Sequence, residues 1–314
     1  MGCPASKEEE RADGPPTSLP DKPVLDFETK EFQHKGIAVV QCAVQGWRKK
    51  MEDVSLVVCG VPSRKDTMVL AVFDGHSGRE AASFAQQELL SHIEGTKEWG
   101  KGDIKGACVS GFLATDQAMR EAGVCSGTTA VMAFVTPEEL IVANCGDSRS
   151  VLSRGGRQLP MSIDHKPGRK GEKRRIMKAG GNLDSDSLHA RIIALNNNMS
   201  IATSRALGDF DFKRDTDRPP GEQMVSPVPE FYQRERVPED EFLILASDGV
   251  WDVMENPEVV GFLKEQSHTL EGSNGGSETS GGLRTPPREL ALRVLKRCLD
   301  MGSLDNMTVV LADL

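Results

Sequence analysis

The sequence of 314 residues lacks the features of several protein classes. It contains no apolar run approaching the ~18 residues that a membrane-spanning helix needs, and its N-terminus has no charged-then-apolar signal pattern. Its seven cysteines are scattered and include no CxxC pair. This argues against a disulfide scaffold and a structural zinc site, and it suits a reducing compartment. We therefore expect a cytoplasmic protein.

Aromatic residues and positive charge are also scarce. Aromatics make up 5% of the chain, so the core must be built mainly from Val, Leu, Ile, Ala and Met. Acidic residues outnumber basic ones by 47 to 38, which gives a net charge of −9. A chain of this charge without a dominant basic tract is a poor candidate for binding nucleic acid, because the phosphate backbone is contacted mainly by clustered Lys and Arg.

Low-complexity segments suggest how the chain is organised. Residues 1–25 are rich in Pro, Glu, Ser and Gly, which predicts a flexible tail followed by a single domain over 26–314. A second such stretch, 267–287, lies between two predicted helices. We expect it to be an exposed insertion loop.

The tail carries a candidate acylation site. Its first six residues, MGCPAS, fit the N-myristoylation pattern, in which Gly2 becomes the N-terminus after Met1 is removed. One acyl chain holds a membrane only marginally, so stable anchoring would need a palmitoyl chain on Cys3. Two interpretations stay open: a protein anchored to the cytoplasmic face of a membrane, and a protein whose N-terminal tail carries no acyl chain.

Hydrophobic patterning favours an α+β fold. Apolar runs rich in β-branched residues predict strands at 37–44, 54–59, 67–73, 139–143, 149–153, 242–246 and 307–312. Helical periodicity predicts helices at 78–93, 103–122, 170–179, 256–266 and 288–300. The first two helices follow each other with no strand between them, which weighs against an alternating parallel sheet and favours sheets with helices packed outside.

Five predicted strands each present a carboxylate at one end, namely Asp74, Asp147, Asp248, Asp305 and the pair Glu52–Asp53. Four of them adjoin Gly or Asn, and a glycine lets the backbone turn sharply there. Converging carboxylates repel one another unless a cation lies between them, and oxygen ligands without Cys or clustered His select Mg²⁺ or Mn²⁺. The alternative is that Asp-Gly pairs mark turns; five such strands together weigh against it.

The segments that carry these carboxylates resemble the metal-dependent protein phosphatase family of type 2C. Nine motifs occur in the family's order over about residues 36–314: QGWRKKMED (45–53), VFDGHSG (72–78), SGTTA (126–130), ANCGDSR (143–149), DHKP (164–167), RIMKAGG (175–181), SRALGD (204–209), ASDGVWD (246–252) and DNMT (305–308). The resemblance implies a central sandwich of two antiparallel β-sheets flanked by α-helices. It also implies a monomer that hydrolyses phosphoserine and phosphothreonine in phosphorylated proteins.

The resemblance further implies a metal-ligand set. Asp74 would bridge two ions of Mg²⁺ or Mn²⁺, with Glu52 and the Gly75 carbonyl completing one site and Asp248 and Asp305 the other. Asp147 matches the position of a third, weaker ion. Asp53 and Asn306 would not bind the ions directly. They would hold the ligands in position by direct contact or through water.

Two side chains would act on the substrate. Arg48 would hold the phosphate as a planar fork, while a metal-bridging water attacks phosphorus directly and no phosphoenzyme forms. His76 would protonate the leaving oxygen; its alternative role is that of a turn histidine that orients a neighbour. We expect His165, Lys166 and Asp209 to stabilise loops and turns.

Two rival functions remain to be weighed. Cys42 and Arg48 have the C-x₅-R spacing of cysteine-nucleophile phosphatases, although Cys42 lies in an apolar run, which favours a buried thiol. Alternatively, the chain could be a catalytically silent scaffold of the same fold, tethered to a membrane. The presence of every expected carboxylate, of Arg48 and of His76 favours an active enzyme.

Overall fold

The computed structural model describes residues 19–193, 199–268 and 283–314. The acylation candidates Gly2 and Cys3 lie outside the described residues, as does most of the predicted loop at 267–287. Val24 and Gly46 exchange two backbone hydrogen bonds, with N···O distances of 2.8 and 3.1 Å. The chain therefore joins the fold slightly before residue 26, where the domain was expected to begin.

The strands among the described residues are two to eight residues long. In chain order they are β1 (Glu28–His34), β2 (Ile37–Val44), β3 (Val54–Val58), β4 (Met68–Phe73), β5 (Gly75–His76), β6 (Gly127–Thr128), β7 (Ala130–Val135), β8 (Glu139–Cys145), β9 (Arg149–Arg154), β10 (Arg157–Pro160), β11 (Asn182–Leu183), β12 (Ile192–Ile193), β13 (Ser200–Ile201), β14 (Leu207–Gly208), β15 (Glu230–Glu235), β16 (Asp240–Ala246) and β17 (Met307–Asp313).

Helices lie mainly in three stretches of the chain. They are α1 (Glu80–Glu94), α2 (Lys97–Gly100), α3 (Ile104–Glu121), α4 (Lys170–Lys178), α5 (Asp248–Trp251), α6 (Asn256–His268) and α7 (Pro287–Asp300). Within the described ranges, no helix is both long enough and apolar enough to cross a membrane.

Two antiparallel sheets form the centre of the molecule. One has six strands in the order β1-β2-β17-β16-β9-β10, and the other has five in the order β15-β8-β7-β4-β3. Every neighbouring pair in both sheets is antiparallel. The smaller sheets β11-β12-β13 and β14-β6-β5 lie outside this pair. The predicted α+β class with two antiparallel sheets is confirmed.

Strand β4 shows how the layers are held together. All six of its residues are buried, and successive side chains point to opposite faces of the sheet. Leu70 and Val72 join the core between the two sheets, whereas Ala71 and Phe73 pack on the other side with residues of α1 and α3. The outer face of the six-stranded sheet is covered by α5, α6 and α7 in the same way.

The sequence patterns predicted the central strands and the long helices correctly, but they missed several other strands. All seven predicted strands and five predicted helices are present, with ends that differ by at most two residues. The missed strands β1, β10 and β15 lie at sheet edges and carry charged residues, so they do not form apolar runs. Strand β7, AVMAFV, is wholly buried, and the rule that predicted β4 also fits it.

The buried helix face of α3 gives a direct test of this packing. Phe112 is fully buried against the five-stranded sheet. We expect Phe112→Ala to lower the free energy of unfolding by ~3–5 kcal/mol, because the lost ring leaves a cavity that its neighbours fill incompletely. Urea denaturation measures this. Leu188→Ala, at a residue that is 56% exposed, is the control and should change stability by less than ~0.5 kcal/mol.

Candidate active site

The antiparallel register brings the predicted site residues to one end of the sandwich. The first residue of β3, Val54, pairs with the last residue of β4, Phe73. Likewise, Met307 at the start of β17 pairs with Val44 at the end of β2, and Ala246 pairs with Arg149. Carboxylates that precede one strand and follow its neighbour therefore meet at the same edge. These are Glu52, Asp53, Asp74, Asp147, Asp248 and Asp305.

The carboxylates act on one another electrostatically. Burial raises the pKa of Asp74 well above its ordinary value, and the negative charges of Asp248, Asp53 and Asp305 raise it further. The pKa of Asp248 is raised in the same way, by burial and then by Asp147 and Asp305. Burial also raises the pKa of Asp53 to about 7, although a hydrogen bond from Ser247 opposes the shift. Such a set of oxygen donors fits a hard divalent cation, whose charge would relieve this repulsion.

Two of the carboxylates are paired with cations of the protein itself. Arg48 Nη2 donates to Asp305 Oδ2 at 2.6 Å, and Lys166 Nζ donates to Asp147 Oδ2 at 2.5 Å. Among the residues that the structure describes, no three Asp, Glu, His or Cys side chains form a ready-made coordination group. The predicted ligands thus share one edge of the sandwich without forming a closed coordination shell.

Asn306 ties the loop that carries Glu52 to the start of β17. Its side-chain amide donates to the carbonyls of Gln45 and Lys50, at 2.8 and 3.0 Å. Its side-chain oxygen accepts a hydrogen bond from Glu52 N at 2.9 Å. One amide therefore fixes three points of the loop that holds both Arg48 and Glu52.

Asp53 lies behind the carboxylate cluster. It is 2% exposed and accepts a hydrogen bond from Ser247 Oγ at 2.7 Å. The same hydroxyl oxygen accepts from Thr308 N at 3.0 Å. Asp53 thereby links the segment before β3 to the ends of β16 and β17, which carry Asp248 and Asp305.

Two glycines allow the backbone segments of the site to approach closely. A Cβ on Gly75 would lie 2.5 Å from the Glu52 carbonyl oxygen. Gly46 has φ +65°, and a Cβ there would lie 2.6 Å from the Asp305 carbonyl oxygen. Any larger residue would push these segments apart. The glycines beside the carboxylates therefore set the spacing of the site.

His76 is held by a carboxylate that the sequence assigned to a turn. Its Nε2 lies 2.9 and 2.8 Å from the two carboxylate oxygens of Asp209. Asp209 does occupy a turn, with a left-handed φ of +52°, but its side chain is directed at His76. The SRALGD motif gave its position, whereas its partner is 133 residues away in sequence.

Lys166 and Asp252 are also closer to the site than the sequence suggested. The ammonium group of Lys166 contacts Asp147 and acts on Asp248 and Asp252 through its charge. Burial raises the pKa of Asp252, and the charge of Asp147 adds to the shift. Both residues lie inside recognised motifs, DHKP and ASDGVWD, but sequence spacing alone did not show that their side chains reach one cluster.

Cys42 is not a nucleophile. It is fully buried within β2, and burial raises the pKa of its thiol to about 12. The nucleophilic form of cysteine is the thiolate, which must be accessible. Cys42, Cys59, Cys108, Cys145 and Cys298 are all free thiols. The cysteine-phosphatase alternative is therefore wrong.

A small cavity adjoins the carboxylates. It has a volume of about 200 Å³ and is lined by residues that include Arg48, Asp252, Val253, Leu304 and Asp305. A larger cavity, of about 600 Å³, is lined by residues such as Met68 and Val135. Those residues lie at the opposite ends of β4 and β7 from the acidic cluster, and the larger cavity contains none of the predicted site residues. Of these two cavities, the smaller one is lined by the predicted site residues Arg48 and Asp305.

Comparisons of this chain with a family model and with individual proteins agree with one another. A family model described as protein phosphatase 2C matches residues 37–307. Protein phosphatase 1B of Bos taurus is 37% identical over 310 residues, covering 93% of this chain and 59% of the bovine protein. For the Mus musculus protein of the same name, the identity is 37% and the coverage 93% and 74%.

Solved structures support the fold. The crystal structure of a serine-threonine phosphatase 2C from Toxoplasma gondii matches with a TM-score of 0.75 and 20% identity, covering 91% of this chain and 99% of that one. Because the family model spans most of the chain and relatives more than a third identical match 93% of it, the chain belongs to the protein phosphatase 2C family of metal-dependent serine/threonine phosphatases.

Proposed function

We propose that this chain hydrolyses phosphoserine and phosphothreonine in protein substrates at the acidic end of the sandwich. The observation that carries the proposal is the meeting of carboxylates from separate strands, whose pKa values are raised by burial and by one another. Arg48 contacts Asp305, and both residues line the small cavity that adjoins this cluster. A cation-binding cluster next to a guanidinium is the arrangement that a phosphate-cleaving site requires.

The residues present fit two divalent ions and a weaker third. Asp74 would be shared by the two ions, with Glu52 and the Gly75 carbonyl on one side and Asp248 and Asp305 on the other. Asp147 would serve the third. When bound, Mg²⁺ or Mn²⁺ supplies an activated water as the nucleophile and positive charge for the phosphate. Asn306 and Asp53 keep the ligands in place through the hydrogen bonds described above.

Arg48 would exchange partners when substrate binds. Its side chain is 44% exposed and lies 2.6 Å from Asp305. A guanidinium donates in a planar fork that matches two phosphate oxygens. In the substrate complex the phosphate takes the place of Asp305 as the partner of Arg48, and Asp305 becomes available as a metal ligand.

His76 and Asp209 would act together on the leaving group. The Asp209 carboxylate orients the imidazole by its contacts with Nε2, and its negative charge stabilises the protonated ring. Oriented in this way, the protonated imidazole of His76 would deliver a proton to the serine or threonine oxygen.

The acidic cluster gives the first test. We expect Asp74→Asn and Asp248→Asn to lower hydrolysis of a phosphothreonine peptide by about a thousandfold or more, equal to about 4 kcal/mol of transition-state stabilisation, because each removes charge from the metal site. The exposed Asp186 pairs with Lys173, and Asp186→Asn is the matched control. Wild-type activity should be abolished by EDTA and restored by Mn²⁺. Full activity of either cluster variant would contradict the assignment.

The paired His76 and Asp209 give a second test. We expect Asp209→Asn to lower kcat on a phosphothreonine peptide by about a hundredfold, within the range that general acid catalysis supplies. Hydrolysis of p-nitrophenyl phosphate should change little, because its leaving group needs no proton. Steady-state kinetics with both substrates distinguishes a role in protonating the leaving group from a purely structural role. Equal losses on both substrates would show that Asp209 has a structural role only.

The N-terminal pattern supports a cytoplasmic, membrane-anchored form. The support is the sequence MGCPAS, with Gly2 as the acceptor of a myristoyl chain and Cys3 as the acceptor of a second acyl chain. We further propose that the catalytic domain is monomeric and dephosphorylates phosphoproteins close to that membrane.

Expression of the full chain in cells tests the acylation. The mass of the intact protein should exceed the mass of the unmodified chain without Met1 by one myristoyl group and one palmitoyl group, and Gly2→Ala should move the protein from the membrane fraction to the soluble fraction. Cys3→Ser should weaken membrane association without removing the myristoyl group. An unmodified mass for the wild-type protein would rule out this proposal and leave the catalytic one untouched.

A further inference from the structure

The position of Lys166 is fixed by the residue before it. His165 Nδ1 accepts a hydrogen bond from Gly146 N at 3.1 Å, and His165 N donates to the Gly146 carbonyl at 3.0 Å. The carbonyl of His165 in turn accepts from the backbone N and the Oγ of Ser204, each at 2.8 Å. The loop that carries Lys166 is thus attached directly to the loop that carries Asp147.

The ammonium group of Lys166 lies among carboxylates of the acidic cluster. It is 2.5 Å from Asp147 Oδ2, and the side chains of the two residues are 14% and 5% exposed. Its charge also acts on Asp248 and Asp252. One carboxylate in contact with a largely buried ammonium group, with two more near enough to act on it through their charge, is a place that a divalent cation could occupy instead.

Other lysines of the chain have ordinary structural partners. Lys213 Nζ is 2.6 Å from Asp116 and donates to the Ala206 carbonyl at 2.8 Å, which ties a loop to α3. Lys264 lies 3.1 Å from Glu241 and joins α6 to β16. Neither contacts a proposed metal ligand. Lys166 therefore differs from them in its surroundings.

We propose that Lys166 is a built-in cation that occupies the third, weakest metal position and competes with a divalent ion for Asp147. The inference rests on the proposed function, in which Asp147 and Asp248 are metal ligands. The ammonium group of Lys166 is a compact point charge, and a divalent ion bound to Asp147 would lie close to it. Two positive charges at short separation repel strongly in a partly buried site. Lys166 would therefore keep the cluster partly neutralised when metal is scarce and set the concentration at which the third ion binds.

Binding of Mn²⁺ to the metal-free protein, followed by isothermal titration calorimetry, tests the inference without relying on activity. We expect Lys166→Met to bind the weakest Mn²⁺ ion at least about tenfold more tightly than wild type, a difference of about 1.4 kcal/mol. Lys166→Gln is uncharged but keeps a hydrogen-bond donor for Asp147, and it should do the same. Lys166→Arg retains the charge and should bind like wild type.

Lys264→Met is the matched control, because it removes a lysine charge from an acidic partner outside the cluster. Its Mn²⁺ isotherm should equal that of wild type. An unchanged weakest affinity in both Lys166→Met and Lys166→Gln, with wild type still binding at least two ions, would overturn the role of Lys166 and leave the proposed function standing. A wild-type protein that binds no Mn²⁺ would overturn the proposed function, and this inference with it.

Discussion

Repulsion among carboxylates gathered at one end of the sandwich is the constraint on which the rest of the site depends. Antiparallel pairing forces Asp74, Asp248 and Asp305 to the same edge. Burial and mutual repulsion raise the pKa values of Asp74 and Asp248. Two positively charged side chains of the protein partly offset this repulsion. Arg48 donates a hydrogen bond to Asp305, and Lys166 donates one to Asp147. A divalent cation bound there would relieve the same repulsion, which is why we propose a metal centre at this end.

The two sheets keep these charges in place. Strands β2, β4, β16 and β17 are buried on both faces, between the inter-sheet core on one side and the helical layers on the other. Ligands at the ends of such strands cannot move apart to relieve their repulsion. Asn306 and the close approach at Gly75 extend this rigidity to the loop that carries Glu52. Carboxylates held in this way would need little rearrangement to bind a cation.

The sequence predicted the positions of the carboxylates better than the contacts that other residues make with them. Asp74 and Asp248 follow long apolar runs, so their place at strand ends could be read from local pattern. Asp209 and Lys166 lie in irregular segments, and their contacts with His76 and Asp147 depend on how distant segments pack. The local pattern of residues carries no information about such long-range pairs. It also failed to predict edge strands such as β1 and β15, because their charged residues interrupt the apolar pattern by which a strand is identified.

We propose that the acidic end of the sandwich is a metal centre. Anomalous scattering from crystals of the full chain soaked in Mn²⁺ tests it most directly, because it locates the ions without reference to activity. We expect two strong peaks that share the Asp74 carboxylate, one beside Glu52 and Gly75 and the other beside Asp248 and Asp305. Peaks elsewhere, or none at these carboxylates in crystals of active protein, would contradict it.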